Sequence, residues 1–229
     1  MKVAICSSTE KEKLNKILTD YGFEVVNKKP DFVLCYGGDG TILYGERIYP
    51  GIPKLIIKTT GECREYDYHP RLFDSVLKKV RDHNYLVLEE MKLDAVYKNN
   101  LLTGLNEIQI HTKLPTRAVR FSVSIDGKKF ENLVGDGIIV ATPFGSTGYY
   151  LATGGRQFKE GIGLSFNNLH SKKIFPFITS ENSKIKIKIE RDSAILLSDN
   201  NPKYFNLERG DEITIHKSSE TARFILVNK

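Results

Sequence analysis

The sequence predicts an α/β domain at residues 1–90 followed by a β-rich domain at residues 91–229. Helical and strand-like patterns alternate over the first ninety residues, with short connections between them. Beyond that point, strand-like runs with turn signals follow one another almost without interruption. The chain contains no internal repeat and no low-complexity linker, so we expect the two domains to pack closely.

In the first domain, short apolar runs predict strands at residues 2–6, 23–26, 32–36 and 54–57. Apolar residues at helical spacing predict helices at residues 9–21, from 41 to about 50, and at 70–83. Strands that alternate with helices in this way are typical of βαβ units and a parallel sheet.

In the second domain, Asn99–Asn100 and Asp126–Gly127 predict hairpin turns. Further strands are predicted at residues 105–111, 138–142, 174–179, 185–189, 194–198, 213–216 and 224–227. Only residues 146–152 have the pattern of a helical turn, so this half of the chain is predicted to be mostly sheet.

Composition excludes several classes of protein. No apolar stretch approaches the ~20 residues of a membrane span, and the N-terminus becomes polar too early for a signal peptide. The three cysteines are widely spaced, which favours a reducing cytoplasm over secretion. The net charge of +6 suits an anionic small molecule such as a nucleotide. Because the basic residues are dispersed among acidic and apolar ones, we expect no nucleic-acid partner.

The sequence Gly-Gly-Asp-Gly-Thr at residues 37–41 follows a predicted buried strand and precedes a predicted helix. Glycines there let backbone N–H groups turn toward an anion, and the helix N-terminus adds a partial positive charge. Asp39 repels phosphate, so we expect it to accept a hydrogen bond, hold a metal or take a proton. A phosphate loop that contains a carboxylate suits phosphoryl transfer to a hydroxyl. The alternative is a tight turn in which Asp39 or Thr41 caps the helix.

Two further motifs lie in the second domain. Asn106 and Glu107 are adjacent polar residues in an apolar strand, and their side chains suit the vicinal hydroxyls of a ribose; an exposed strand end is the alternative. Residues 135–155 combine a buried strand, a turn rich in Pro, Gly, Ser and Thr, and paired glycines, which indicates close approach of backbone to a ligand. The five histidines are scattered without the spacing of a metal site, so no protein metal ligand is predicted.

Together the three motifs resemble the NAD kinase family, in their order and in their spacing. The resemblance implies a Rossmann-like α/β domain with a C-terminal β-sandwich-like domain. It implies phosphorylation of the 2′-hydroxyl of the adenosine ribose of NAD by ATP or polyphosphate, giving NADP, with a divalent metal such as Mg²⁺ accompanying the donor. It also implies a homodimer or homotetramer.

By the same resemblance, Asp39 is the general base. The residues implied to bind the nucleotides are Gly38, Asp39, Gly40, Thr41, Asn106, Glu107, Asp136, Thr147, Tyr149, Ala152 and Asn201.

The chain departs from the family pattern in four places. Residues 58–65 replace an Asn-x-Gly-x-Leu-Gly-Phe-Leu-like segment, and Val134 stands where a basic residue is common. Gly148 replaces the usual alanine, and residues 199–201 read Asp-Asn-Asn in place of Asp-Gly-Gln. Two alternatives therefore stay open: a lipid or sugar kinase with the same Gly-Gly-Asp-Gly-Thr loop, and a non-catalytic nucleotide-binding regulator or basic nucleic-acid binder.

Overall fold

The computed structural model describes residues 1–61, 64–170 and 174–227, and these form two compact units. The first unit comprises Met1–Glu90 together with the chain from Thr221, and the second comprises Met91–Glu220. The chain passes between the units within two long strands, Tyr85–Tyr97 and Glu212–Val227. The predicted division at residue 90 placed everything after it in one domain, whereas the residues from Thr221 pair with the first unit. The sequence pattern does not show that the last strand pairs with the first unit, because that pairing depends on which sheet the strand joins.

The first unit is an α/β layer structure. Its strands are β1 (Lys2–Cys6), β2 (Glu24–Val25), β3 (Phe32–Gly37), β4 (Lys54–Lys58) and β5 (Asp67–Tyr68). Its helices are α1 (Lys11–Asp20), α2 (Asp39–Ile48) and α3 (Phe73–Arg81), the last preceded by a 3₁₀ turn at Pro70–Leu72. The strands pair in parallel in the order β2-β1-β3-β4, and β5 joins β4.

Helices cover both faces of this sheet, which explains the continuous apolar runs of its strands. On one face, Leu14 and Leu18 of α1 and Val76 and Leu77 of α3 share a core cluster with Leu34 of β3. On the other face, α2 approaches the sheet at Gly45, where a Cβ would lie 2.6 Å from the Sγ atom of Cys35. Small residues are therefore required where α2 crosses the strands.

The second unit is built from antiparallel strands. These are β6 (Tyr85–Tyr97), β7 (Asn100–Gly104), β8 (Glu107–Thr112), β9 (Val119–Ile125), β10 (Lys128–Gly135), β11 (Gly137–Ala141), β12 (Ile162–Asn167), β13 (Phe177–Thr179), β14 (Ile185–Arg191), β15 (Ala194–Ser198), β16 (Phe205–Leu207) and β17 (Glu212–Val227). One sheet has the order β10-β9-β14-β17; β6 also pairs with β17, and β7 pairs with β6. The other sheet has the order β13-β12-β11-β8-β15-β16.

The two sheets of the second unit enclose one apolar core. Phe121 and Ile187 from the first sheet pack in the same cluster as Ile110, Val140 and Leu196 from the second. On the outer side of β11, Tyr150 and Phe158 cover Ile139 and Ala141 in a separate small cluster. This is the β-sandwich that the sequence predicts, so the predicted fold class is confirmed.

Several element boundaries differ from prediction. The Asp126–Gly127 turn is confirmed, since Ile125 pairs with Lys128 and both turn residues have positive φ. The predicted Asn99–Asn100 turn is wrong by one residue: Tyr97 pairs with Asn100, so the loop consists of residues 98 and 99.

Three further strand predictions differ from the structure. The predicted strands at 213–216 and 224–227 are one continuous strand, β17. The predicted strand at 174–179 shortens to Phe177–Thr179. Strand β12 was missed although its sequence, Ile-Gly-Leu-Ser-Phe-Asn, alternates apolar with small or polar residues; glycine and asparagine are depleted in strands and weaken the pattern.

Two of the three cysteines, Cys6 and Cys35, are buried and unpaired, as expected for core residues. Cys63 lies outside the described residues. Within residues 1–61, 64–170 and 174–227, no helix is long and apolar enough to cross a membrane.

Candidate functional site

In the first unit, the loop at residues 37–41 connects the carboxyl end of β3 to α2. Gly38 is the N-cap of α2, and no side chain caps the helix. The alternative in which Asp39 or Thr41 caps the helix is therefore wrong, because Gly38 occupies the cap and Asp39 is the first helical residue. A Cβ at Gly38 would lie 2.7 Å from the Thr60 Oγ1 atom, so a larger residue there would require the exposed Thr60 side chain to move.

Asp39 lies in a cluster of charges at the carboxyl ends of neighbouring strands. Its Oδ1 atom is 3.0 Å from the Lys58 Nζ atom and 3.1 Å from the Arg64 Nη1 atom. The Asp39 side chain is 52% exposed, whereas that of Lys58 is 4% exposed. A partly exposed carboxylate is thus held by a buried cation at the end of β4 and by an arginine from the connection that follows.

Asp67 of β5 is the fourth charged residue of this cluster. Its side chain is fully buried, and its Oδ2 atom lies 3.4 Å from the Lys58 Nζ atom. The same oxygen accepts a hydrogen bond from the backbone N–H of Arg64 at 3.0 Å. Two carboxylates and two cations therefore balance at this end of the sheet, as buried charges require.

In the second unit, Asp199 organises the Asn106–Glu107 motif. Its carboxylate accepts hydrogen bonds from the backbone N–H groups of Leu105, Asn106 and Glu107 at 2.8, 2.8 and 3.1 Å. Thr142 donates its hydroxyl proton to the Leu105 carbonyl at 2.6 Å. The turn before β8 is therefore fixed from both sides, so the expected alternative of a merely exposed strand end does not describe it.

Glu107 is 2% exposed, and its environment disfavours the charged form. Burial, together with the nearby Asp199 carboxylate, raises the pKa of Glu107 to about 7, against a hydrogen bond from Gln109 that lowers it. The Oε2 atom of Glu107 and the Oδ1 atom of Asn106 are buried and have no hydrogen-bond partner among the described residues. Two adjacent acceptors without partners are the feature expected where a ligand supplies donors.

The glycine-rich stretch at 135–155 packs directly against this motif. After β11 the chain forms a 3₁₀ turn at Phe144–Thr147, passes Gly148 and continues as α4 (Tyr149–Ala152). A Cβ at Gly145 would lie 2.6 Å from the Asn106 Cα atom, and one at Gly148 would lie 3.5 Å from the Glu107 Oε2 atom. The second and third sequence motifs therefore form one structure.

A cavity of about 680 Å³ opens beside this structure. Three predicted site residues line it: Asp136, Tyr149 and Ala152. It is also lined by Gln109 and Asp199, which bond to Glu107 and to the backbone of Asn106. The size is within the range of small-molecule sites.

Four predicted site residues of the second unit do not line this cavity: Asn106, Glu107, Thr147 and Asn201. Thr147 is exposed at the end of the 3₁₀ turn. The Oδ1 atom of Asn201 accepts a hydrogen bond from the backbone N–H of Lys203 at 3.0 Å, which closes its own turn.

No group of three His, Cys, Asp or Glu side chains in the described parts of the chain could hold a metal ion. Asp39 and Asp67 are instead paired with Lys58 and Arg64. Magnesium in nucleotide enzymes is commonly bound by one or two carboxylates together with substrate phosphates. The two carboxylates are therefore neutralised by protein cations, and a metal that accompanies the donor would be held mainly by the donor's own phosphates.

Sequence reasoning missed four residues of these clusters: Lys58, Arg64, Asp67 and Asp199 as a backbone acceptor. Lys58 directly follows a predicted strand, so its place at the carboxyl end of a parallel sheet was a usable signal. Asp199 is more than ninety positions from the N–H groups that it binds, and no local pattern reveals such a contact.

A sequence model described as the ATP-NAD kinase C-terminal domain matches residues 105–227. The "Bifunctional NADP phosphatase/NAD kinase" of Methanococcus maripaludis is 34% identical over 206 residues, which are 84% of this chain and 36% of that protein. The "NAD kinase" of Methanothermobacter thermautotrophicus is 30% identical, over 93% of this chain and 77% of that protein.

Among solved structures, the chain is similar to an NAD kinase from Archaeoglobus fulgidus in complex with ATP. The TM-score is 0.84 at 27% sequence identity, and the alignment covers 98% of this chain and 93% of that chain.

Proposed function

Because the chain belongs to the NAD kinase family, whose members phosphorylate NAD, we propose that it transfers a phosphoryl group to the 2′-hydroxyl of the adenosine ribose of NAD, giving NADP. ATP is the proposed donor, with polyphosphate as the other candidate. The solved structure of the Archaeoglobus fulgidus protein contains ATP, which supports the first choice.

The observation that carries this proposal is a pair of buried acceptor atoms without a partner among the described residues, Asn106 Oδ1 and Glu107 Oε2. Gln109 and Asp199, which hydrogen-bond to other atoms of these two residues, line the cavity of the second unit. Ribose hydroxyls are donors of the required kind. At neutral pH the Glu107 carboxyl exchanges its proton readily, since its pKa is about 7. It can therefore accept a hydrogen bond from one hydroxyl or donate one to another oxygen.

Within the cavity, Tyr149 and Ala152 offer an aromatic ring and a small side chain, which suit the flat face of an adenine. Asp136 accepts a hydrogen bond from the Asn168 side chain at 2.7 Å and is the proposed contact to the nicotinamide half. Thr147 and Asn201, implied by family resemblance alone, remain predictions.

In the first unit, Asp39 is the proposed general base, with Gly38, Gly40 and Thr41 bordering the path of the phosphates. Phosphoryl transfer depends on positioning and charge neutralisation more than on covalent intermediates. A divalent metal such as Mg²⁺, bound to the donor phosphates, would supply further positive charge. The cations nearest Asp39 in this chain are Lys58 and Arg64.

The test is incubation of the purified chain with NAD, ATP and Mg²⁺, followed by assay of NADP with an NADP-specific dehydrogenase. We expect Asp39→Asn to keep the fold and NAD binding and to lose about 10²–10⁴-fold in turnover, because one positioned base contributes that much. Asp20→Asn is the matched control, since Asp20 is an exposed residue at the end of α1.

Undiminished turnover in Asp39→Asn would remove Asp39 from this role. NAD binding by the wild type without any NADP would favour the non-catalytic regulator, and phosphorylation of a lipid or sugar instead would favour the other kinase class. The homodimer or homotetramer and the cytoplasmic location stay predictions; light scattering of the purified protein tests the first.

A further inference from the structure

The two oxygens of the Asp39 carboxylate have different surroundings. The Oδ1 atom is in contact with both Lys58 Nζ, at 3.0 Å, and Arg64 Nη1, at 3.1 Å. The Oδ2 atom makes no hydrogen bond or ion pair with any residue that the structure describes. A half-exposed aspartate normally rotates freely about its last torsion, because the energy wells there are broad. Two cations on one oxygen oppose that rotation.

The cations are themselves held in place. Lys58 ends β4, opposite Gly37 of β3, and its buried ammonium group lies between Asp39 and Asp67. Asp67 also accepts the backbone N–H of Arg64, which fixes the base of that side chain. The contacts therefore run from buried Asp67, through Lys58 and Arg64, to the exposed carboxylate.

We propose that Lys58 and Arg64 are positioning residues for phosphoryl transfer, which hold the Oδ1 atom of Asp39 so that the Oδ2 atom accepts the proton. This inference rests on the proposed function. In the step concerned, the 2′-hydroxyl oxygen forms a bond to the terminal phosphorus of ATP. The bond from that phosphorus to the bridging oxygen breaks, its electron pair leaves with ADP, and the hydroxyl proton moves to Asp39 Oδ2.

The physical basis is orientation. Holding a reacting group in the productive geometry lowers the activation barrier, because the rotational entropy of that group is already lost before the reaction. Small misplacements of the group therefore reduce the rate strongly. Both cations lie in residues 58–65, the segment that departs from the family pattern. We infer that this chain uses that segment to hold its base, which gives the departure a function.

Arg64 is the member to test, because its side chain is 20% exposed and its removal leaves Lys58 and Asp67 paired. The variants are Arg64→Gln and Arg64→Lys, with Arg81→Gln as control for an exposed arginine of the same unit. We expect Arg64→Gln to lower kcat about 10-fold with both KM values nearly unchanged, since orientation of the base is lost and binding is not. Arg64→Lys should recover most of kcat, and Arg81→Gln should equal the wild type.

Thermal unfolding and the KM values separate positioning from general damage. The unfolding temperature of Arg64→Gln and both of its KM values should stay near those of the wild type while kcat falls. Arg64→Lys, which keeps a cation for Asp39 Oδ1, should restore kcat without changing the unfolding temperature.

A double-mutant cycle provides the decisive readout. If Arg64 acts through Asp39, then Arg64→Gln has no further effect on the residual rate of Asp39→Asn. Equal losses in both backgrounds would overturn the proposal. So would an unchanged kcat in Arg64→Gln, or a higher KM for ATP alone, which would make Arg64 a donor-binding residue.

Failure of the proposed function gives a different result. If the wild type forms no NADP, crystal structures of the wild type and of Arg64→Gln still test the contact, since Asp39 should keep one side-chain orientation in the wild type and adopt more than one in Arg64→Gln. A single, unchanged orientation of Asp39 in Arg64→Gln overturns the proposed role of Arg64 whatever the activity. For Lys58, the test variant is the double substitution Lys58→Met with Asp67→Asn, which avoids an uncompensated buried charge. Its kcat should fall as in Arg64→Gln. If this double variant does not fold, the Arg64 variants alone decide the proposal.

Discussion

At the scale of single residues, Glu107 shows how a buried carboxyl group can weaken the fold that holds it. The ordinary glutamate pKa of 4.5 rises to about 7 because the side chain is buried and lies near Asp199. At pH below 4.5 the carboxyl is protonated in both the folded and the unfolded chain. Between these values only the folded chain keeps the proton, so the free energy of unfolding falls as the pH rises.

We expect this effect to reach roughly 3 kcal/mol by pH 7.5, from ~1.4 kcal/mol per unit of pKa difference. Glu107→Gln keeps the acceptor for Gln109 and abolishes the ionisation. Its urea midpoint should therefore exceed that of the wild type at pH 7.5, and exceed it by much less at pH 5. Exposed Glu160→Gln is the control. Equal midpoints of Glu107→Gln and wild type at both pH values would show that Glu107 titrates normally.

At the scale of elements, the connection between the 3₁₀ turn and α4 depends on two glycines with different surroundings. Gly145 lies against the Asn106 backbone, where a Cβ would come within 2.6 Å of the Cα atom. Gly148 has more room: a Cβ there would meet the Gly145 carbonyl oxygen at 3.3 Å and the Glu107 Oε2 atom at 3.5 Å. Its backbone, with φ −90°, does not require glycine.

We therefore expect Gly145→Ala and Gly148→Ala to differ. Gly145→Ala should destabilise the chain by about 1–3 kcal/mol and weaken NAD binding, because the backbone of the Asn106–Glu107 motif must shift. Gly148→Ala should change stability by less than about 1 kcal/mol, since the lower entropy of the unfolded chain offsets a tight contact. Thermal unfolding and calorimetry of NAD binding check both; similar losses in the two variants would contradict this account.

At the scale of the whole molecule, the last described residues stabilise the first unit, although they follow the second unit in the chain. Phe224 pairs with Lys54 of β4 and stacks on Tyr66, with ring centroids 4.7 Å apart. The backbone N–H of Val227 donates to the Tyr68 hydroxyl at 2.7 Å. The first unit is therefore assembled from both ends of the sequence, so residues 1–90 alone lack part of its core.

We expect Phe224→Ala to destabilise the first unit by about 3–5 kcal/mol, the usual cost of removing a buried aromatic ring. Hydrogen exchange should show lost protection in β3 and β4, while β11 and β12 keep theirs. Phe224→Leu, which retains most of the apolar volume, is the milder control. Loss confined to β11 and β12 would instead support the predicted boundary at residue 90.

Much of this architecture can be predicted from local pattern. The helices at 9–21 and 70–83 were correct to within a few residues, because their apolar faces recur at helical spacing. The Asp126–Gly127 hairpin was correct because only a few residue types adopt positive φ at both turn positions. Strand β12 was missed although its apolar residues alternate, because glycine and asparagine within it are residue types that strands disfavour.

The sequence by itself determined the class of fold and the place of the three motifs along the chain, because periodicity, glycine content and turn chemistry are local properties. Only the tertiary structure decided what surrounds those motifs. The three N–H groups bound by Asp199 and the two cations on Asp39 come from distant positions. Such contacts depend on which strands become neighbours, and that is settled by packing of the whole sheet.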